Sequence, residues 1–353
     1  MTQAPPSVES LIATLWEAGG TDLHLSAGTC PMLRVNGVLQ AAAGTAPLTP
    51  ADMEGLVGSL LSDQQLAACR VGVDTDFSFG WGGLARIRGN AFRQRNTLAL
   101  ALRIMPHAIP SFDDLEIPAV VRTIATLTQG LVLVTGPTGS GKSTTLASIV
   151  DWIAANRAAH VITIEDPIEY VHTHQMSSVN QRAVGEDTPS FGAALRSALR
   201  EDPDVLLVGE LRDLESIRFA LTLAETGHLV LATAHTNDAS QTVDRIVEVF
   251  PGSEQGQIRT QLALALTAIV HQRLVPRVDG GQVAAFEVLL ANSPVRSLVK
   301  DGKSHQLRNQ MVVGHREGMV TLEESFNALI RDGVISRDQA AARSAFPHEL
   351  LPR

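Results

Sequence analysis

One eight-residue run, Gly136-Pro137-Thr138-Gly139-Ser140-Gly141-Lys142-Ser143, limits what this chain can fold into more than any other feature. It has the form G-x-x-x-x-G-K-[S/T], a phosphate-binding loop when a strand leads into it and a helix leaves it. Both flanks are right: Leu131–Thr135 is an apolar run, and Thr144–Ala155 carries a helical pattern. The glycines let backbone N–H groups close around phosphate oxygens, and the helix N-terminus adds a favourable dipole. On this reading the cofactor contacts run from Gly136 through Thr144. Lys142 reaches the β and γ phosphates of ATP, and the Ser143 hydroxyl ligates Mg²⁺.

Such a loop needs carboxylates nearby, to hold the metal and to orient an attacking water. Two segments supply them at strand ends, where α/β folds place ligands. Val161-Ile162-Thr163-Ile164 runs into Glu165, Asp166 and Glu169, and Val205–Val208 runs into Gly209-Glu210. A third segment, Thr226–Asn237, has a histidine on each side of an apolar strand. His235 follows the strand, where a γ-phosphate sensor lies, and His228 precedes it. Neither histidine has metal-ligand spacing to a partner.

Around these motifs the chain divides into parts. Residues 1–105 mix helix and strand. Ser7–Ala18 is apolar on a helical period, Asp22–Leu25 and Met32–Val35 are strands, and Asn36-Gly37 is a hairpin signal. Thr49–Cys69 reads as one helix, followed by strands at Asp76–Phe79, Ala85–Arg93 and Leu98–Ile104. Prolines 106, 110 and 118 mark a linker over 106–118. From 119 to 275 strand, loop and helix alternate, with buried parallel strands expected at Leu131–Thr135, Val161–Ile164, Val205–Val208 and Leu229–Ala232. Residues 276–353 read as mostly helical, with helices at Pro294–Lys300, Thr321–Arg331 and Ser336–Ala345.

Bulk properties exclude several classes. A net charge of −9 argues against general nucleic-acid binding, which needs a basic face. No apolar run approaches the roughly 20 residues of a membrane span, and the first ten residues lack a signal peptide's pattern, so a cytoplasmic location is expected. Two distant cysteines, Cys30 and Cys69, suggest neither a disulfide framework nor a metal site.

The segments together resemble the secretion-ATPase superfamily and, within it, the pilus-retraction (PilT/PilU) group. Thr163–Glu169 resembles that group's aspartate box, Gly209–Asp213 its Walker B segment and Thr226–Thr236 its histidine box. Thr242–Val247, Asp22–Ser26 and Pro31–Gly37 also fit. The resemblance covers nearly the whole chain. It implies an α/β fold with a RecA-like core, an N-terminal PAS-like α+β domain and a helical C-terminal region. It implies that Glu165 orients or deprotonates water, that Glu210 holds the Mg²⁺-bound water shell, and that His235 meets the γ-phosphate with His228 in support. Arg86, Arg88 and Arg103 of the N-terminal domain would reach a nucleotide held by a neighbouring subunit, where a guanidinium stabilises transferring phosphoryl charge. The implied partners are five further copies in a hexamer, a pilus platform protein of the inner membrane and a paralogous ATPase. The implied place is the cytoplasmic face of that membrane.

Two departures stand out. The group's C-terminal AIRNLIRE helix is matched by Pro294–Asp301 in pattern but hardly in identity, and the C-terminal region is somewhat short. A PilU-like accessory subunit is therefore the alternative reading. The short N-terminal part and the missing four-cysteine site weigh against an extension motor. The acidic balance weighs against a DNA translocase.

Overall fold

The computed structural model describes residues 6–35, 37–106 and 108–352, which fall into two compact units divided between Ala108 and Ile109. Asn36 of the expected hairpin turn and position 107 of the expected linker lie outside the described residues.

In the first unit α1 (Val8–Glu17) is started by Ser7, whose side chain accepts the Ser10 N–H, and buries Val8, Leu11, Ile12 and Leu15. The strands are β1 (Gly20–Ser26), β2 (Met32–Val35), β3 (Val38–Ala41), β4 (Thr75–Trp81), β5 (Ala85–Gln94) and β6 (Thr97–Pro106). They form one antiparallel sheet in the order β3-β2-β1-β6-β5-β4. The single helix expected over Thr49–Cys69 is two: α2 (Pro50–Gly58) and α3 (Asp63–Arg70). The break follows from Ser62. It exchanges hydrogen bonds with Gln65 in a capping box and so starts a new helix, which apolar periodicity alone does not reveal.

The second unit opens with α4 (Ala119–Ile124) and alternates as expected: β7 (Gly130–Thr135), α5 (Lys142–Asn156), β8 (His160–Glu165), β9 (Ser178–Ala183), α6 (Phe191–Ala198), β10 (Val205–Val208), α7 (Leu214–Glu225), β11 (Leu229–Ala234), α8 (Ala239–Glu248) and α9 (Gln255–Ala265). Two long strands follow, β12 (Leu266–Pro276) and β13 (Gln282–Leu290). The sheet order is β13-β12-β7-β11-β10-β8-β9, parallel throughout except for the β12–β13 pair. Apolar layers cover both faces. Leu131, Leu133, Ile162 and Leu206 face one, and Val132, Val134, Val161 and Val205 face the other. This alternation explains why β7, β10 and β11 read as unbroken apolar runs.

The part after 276 begins with β13, a strand that the mostly helical reading did not include. Its sequence, QVAAFEVLL, is apolar from Val283 on except for Glu287, and a run so nearly continuous gives no period that separates a buried strand from a helix. The helices α10 (Ser293–Lys300), α11 (Leu307–Val313), α12 (Leu322–Arg331) and α13 (Arg337–Ala341) then pack around it. α13 ends earlier than the Ser336–Ala345 expectation.

Candidate nucleotide site

The loop Gly136–Gly141 lies between β7 and α5, at the carboxyl edge of the parallel strands. Gly136 is held at φ 146°, and a Cβ there would strike the Gln272 carbonyl and the Ser140 hydroxyl. Only glycine fits, because β12 passes directly behind the loop. Gly141 caps α5 with φ 84° and contributes no side-chain cap, so the first N–H groups of the helix have no intrahelical partner. Pro137, Thr138 and Gly139 form an exposed lip. Lys142 is buried and folds back to donate to the Gly136 and Pro137 carbonyls, each at 3.0 Å. Burial lowers its pKa, against the opposing pull of Glu210 and Glu169.

The neighbouring strand ends bring the expected acids to this loop. Lys142, Ser143, Glu165, Asp166, Glu169, Glu210 and His235 share one cavity of about 200 Å³. Glu165 ends β8. Burial pushes its pKa up, and hydrogen bonds from Thr163 and Gln181 hold part of the shift back. Glu210, just past β10, meets Arg212 at 2.7 Å and the His235 Nε2 at 3.4 Å. His235 follows β11 and is partly exposed. Among the described residues no cluster of three or more His, Cys, Asp or Glu has the arrangement of a metal cage.

His228 is not brought to this cavity. β11 runs parallel to β7 with Leu229 opposite Gly130 and Ala234 opposite Thr135. The strand's full length, about 20 Å at 3.3 Å per residue, therefore separates His228 from the loop. Its ring instead lies 3.0 Å from the Leu223 carbonyl at the end of α7. A histidine one residue before a strand sits at the wrong end of a parallel sheet, and the motif's wording concealed this.

Arg86, Arg88 and Arg103 belong to the first unit. Arg88 and Arg103 face each other across β5 and β6, and both are exposed. Arg103 donates to the buried Asp22 at 2.7 Å, and Arg86 to Ser78 at 2.6 Å.

Sequence reasoning missed the groups that hold the site. Gln272 of β12 is buried. Its amide donates to the Ser140 carbonyl at 2.7 Å and accepts from the Thr145 hydroxyl at 2.8 Å, fixing both flanks of the loop. His271 lies 3.2 Å from Thr135, and burial with the nearby Arg273 and Lys142 charges drops its pKa to about 3, so the ring is neutral. The signal was present: His271-Gln272 is a polar pair inside the apolar run LTAIVHQRLV, and buried polar residues are the informative ones. A second cavity of about 250 Å³ adjoins the other side of the loop, lined by Gly141, Thr144, Leu115, Leu274, Arg277 and Phe286.

A family profile described as "Type II/IV secretion system protein" matches residues 100–333. The chain is 42% identical over 340 residues to the type IV pilus retraction ATPase PilT of Pseudomonas aeruginosa, covering 96% of this chain and 98% of that one. It is 39% identical over 343 residues to the type IV pilus ATPase PilU of the same organism, covering 97% and 90%. A crystal structure of the pilus retraction motor PilT with bound ADP superposes with a TM-score of 0.91 at 44% identity, over 98% of this chain and 99% of that one.

Proposed function

The chain belongs to the type II/IV secretion system protein family, and on that premise we propose that it is an ATPase whose hydrolysis cycle powers retraction of type IV pili. The observation that carries the reading is the convergence of the Lys142 loop, Glu165 and Glu210 on one cavity, in a chain of which 96% matches a pilus retraction ATPase. The phosphates lie along the backbone N–H groups of Gly139–Ser143, with Lys142 released from its carbonyls to meet them. The base lies on the apolar side of the loop, between Leu115, Leu274 and Phe286.

A divalent cation fits the donor set. The Ser143 hydroxyl and the Glu210 carboxylate are hard oxygen donors lining one cavity, the donor type that suits Mg²⁺, which keeps several of its waters. When bound, it would neutralise charge on the phosphate oxygens. Glu165 orients a water and accepts its proton, a task favoured by the raised basicity that burial gives it. His235 stands beside Glu210 on the γ-phosphate side.

In this reading six copies form a ring, and Arg88 or Arg103 of one copy completes the site of the next, with Arg86 in support. The ring acts on a platform protein of the inner membrane from its cytoplasmic side. Among the described residues no helix is long and apolar enough to cross a membrane. The 39% match to PilU favours one second reading, an accessory subunit working beside a paralogous ATPase.

Phosphate release by Lys142→Ala and Glu165→Gln variants tests the chemistry. Each should fall more than about 100-fold, since each removes a charged group that acts in the transition state. A strain carrying either variant should be over-piliated and fail to twitch. Normal twitching with both variants inactive would assign the chain to the accessory role.

A further inference from the structure

Glu165 is set in a local frame that the reaction chemistry does not itself require. Thr163 lies two residues earlier on β8 and so points to the same side of the strand. Its hydroxyl donates to Glu165 Oε1 at 2.6 Å. On the neighbouring strand β9, Gln181 stands directly opposite Thr163 and donates its amide to the same Oε1 at 3.1 Å.

The orientation of the Gln181 amide is unambiguous. Its nitrogen also donates to the Tyr170 carbonyl at 2.8 Å, and its oxygen accepts the His172 backbone N–H at 2.8 Å. Turning the amide over would set its oxygen against two acceptors and its nitrogen against the His172 N–H donor. Tyr170 in turn shares a 3.0 Å hydrogen bond with Thr144, in the first turn of the helix behind the phosphate loop. Thr163 is fully buried, flanked along β8 by Ile162 and Ile164 and paired with Leu207 of β10, in a strand where an aliphatic residue would pack as well. A hydroxyl there costs free energy unless it is bonded, and its bond is to Glu165.

We propose that Thr163 and Gln181 form a two-donor clamp on one oxygen of the Glu165 carboxylate, and are positioning residues for ATP hydrolysis. Both side-chain donors fall on Oε1, and with the Glu169 backbone N–H they fix the plane of the carboxylate, so that it presents one orientation to the water whose proton it takes. The proposal rests on the reading of Glu165 as the group that readies the water. Neither residue touches nucleotide in this scheme, so the clamp acts on turnover and leaves binding alone.

The test uses the full-length chain with Thr163→Val, Thr163→Ser, Gln181→Met and Glu165→Gln variants, scored for kcat, KM and nucleotide Kd with Mg-ATP. Losing one charge-assisted donor should lower kcat about tenfold in Thr163→Val and in Gln181→Met, with KM and Kd within about twofold of the parent. Thr163→Ser returns the donor and should recover kcat to within about threefold of the parent, which a packing role would not produce. Parental kcat in both donor-less variants while Glu165→Gln is inactive would overturn the clamp. So would a fall in kcat matched by weaker nucleotide binding, or failure of the serine to rescue. Parental turnover in Glu165→Gln would instead remove the role of Glu165, and the clamp with it. Should Thr163→Val not fold, Gln181→Met decides, because its side chain is only half-buried at the outermost strand of the sheet.

Discussion

The two sheets bury carboxylates in opposite ways. In the first unit the cross-strand registers line up Arg34, Asp22, Arg103 and Arg88 in one row across β2, β1, β6 and β5. Asp22 is buried, which pushes its pKa up, but the bonds from Thr21 and Arg103 and the Arg103 charge outweigh this and hold it below the usual value. In the second unit Glu165 and Glu287 are met chiefly by neutral donors, and both go up, Glu287 to about 7. A buried carboxylate matched by arginine is locked as an anion. One matched by amides and hydroxyls stays able to take a proton. Among the described residues, Glu165 is the one with that property beside the phosphate loop. Glu287 accepts the Ala239 N–H at 2.8 Å and lines a different cavity, with Arg273 and Arg308. A raised pKa therefore marks a site only when geometry places it next to the reacting groups.

The sharpest way to break the comparison is Gln272→Leu. If neutral buried partners hold the second unit together, the variant leaves the Ser140 carbonyl and the Thr145 hydroxyl without their partner, and stability should drop by about 4 kcal/mol. Nucleotide affinity should weaken with it, since both flanks of the loop are released. Denaturant unfolding with and without Mg-ADP reads both effects. A loss below about 1 kcal/mol would class Gln272 with the exposed surface pairs.

Glu287→Gln comes next, with the opposite sign. Below pH 4.5 the group is protonated in both folded and unfolded chains. As pH rises from 4.5 to about 7 the unfolded chain loses the proton while the folded one keeps it, so stability falls across that window and is flat above it. Glutamine keeps an acceptor for the Ala239 N–H and cannot ionise. The variant should gain about 2–3 kcal/mol over the parent at pH 8 and nothing at pH 4. Thermal unfolding over that range checks it, and an equal gain at both pH values would mean that packing, not charge, is responsible.

The contrast also explains what could be read from residues alone. The phosphate loop, the strands that feed it and the acids at their ends were legible, because a parallel strand buried on both faces leaves an unbroken apolar run and the loop's glycines are required by backbone geometry. Gln181 was not: SVNQRA has no apolar period, and its role depends on which strand β9 lies beside. His228 was misplaced because a motif gives order along the chain but not the end of the sheet. The row of Arg34, Asp22, Arg103 and Arg88 draws on four strands scattered from 22 to 103, so no spacing could reveal it.

The smallest expected effect is Asp22→Asn. The Asp22 side chain is 8% exposed but its partner Arg103 is 64% exposed, so much of their attraction is screened by water. Asparagine loses that attraction, but it also escapes the cost of burying a charge, and the two changes oppose each other. The net loss should be about 1 kcal/mol at pH 7. Because the folded carboxylate's pKa lies below 3.8, this contribution exists above that pH and fades as pH falls through the lowered value. Parent and variant should therefore converge in acid, where Glu287→Gln and its parent also converge, but at about pH 7 they should differ in opposite directions. A larger cost for Asp22→Asn than for Gln272→Leu would reverse the ranking, and would mean that the arginine row holds its unit together more tightly than the neutral network holds the other.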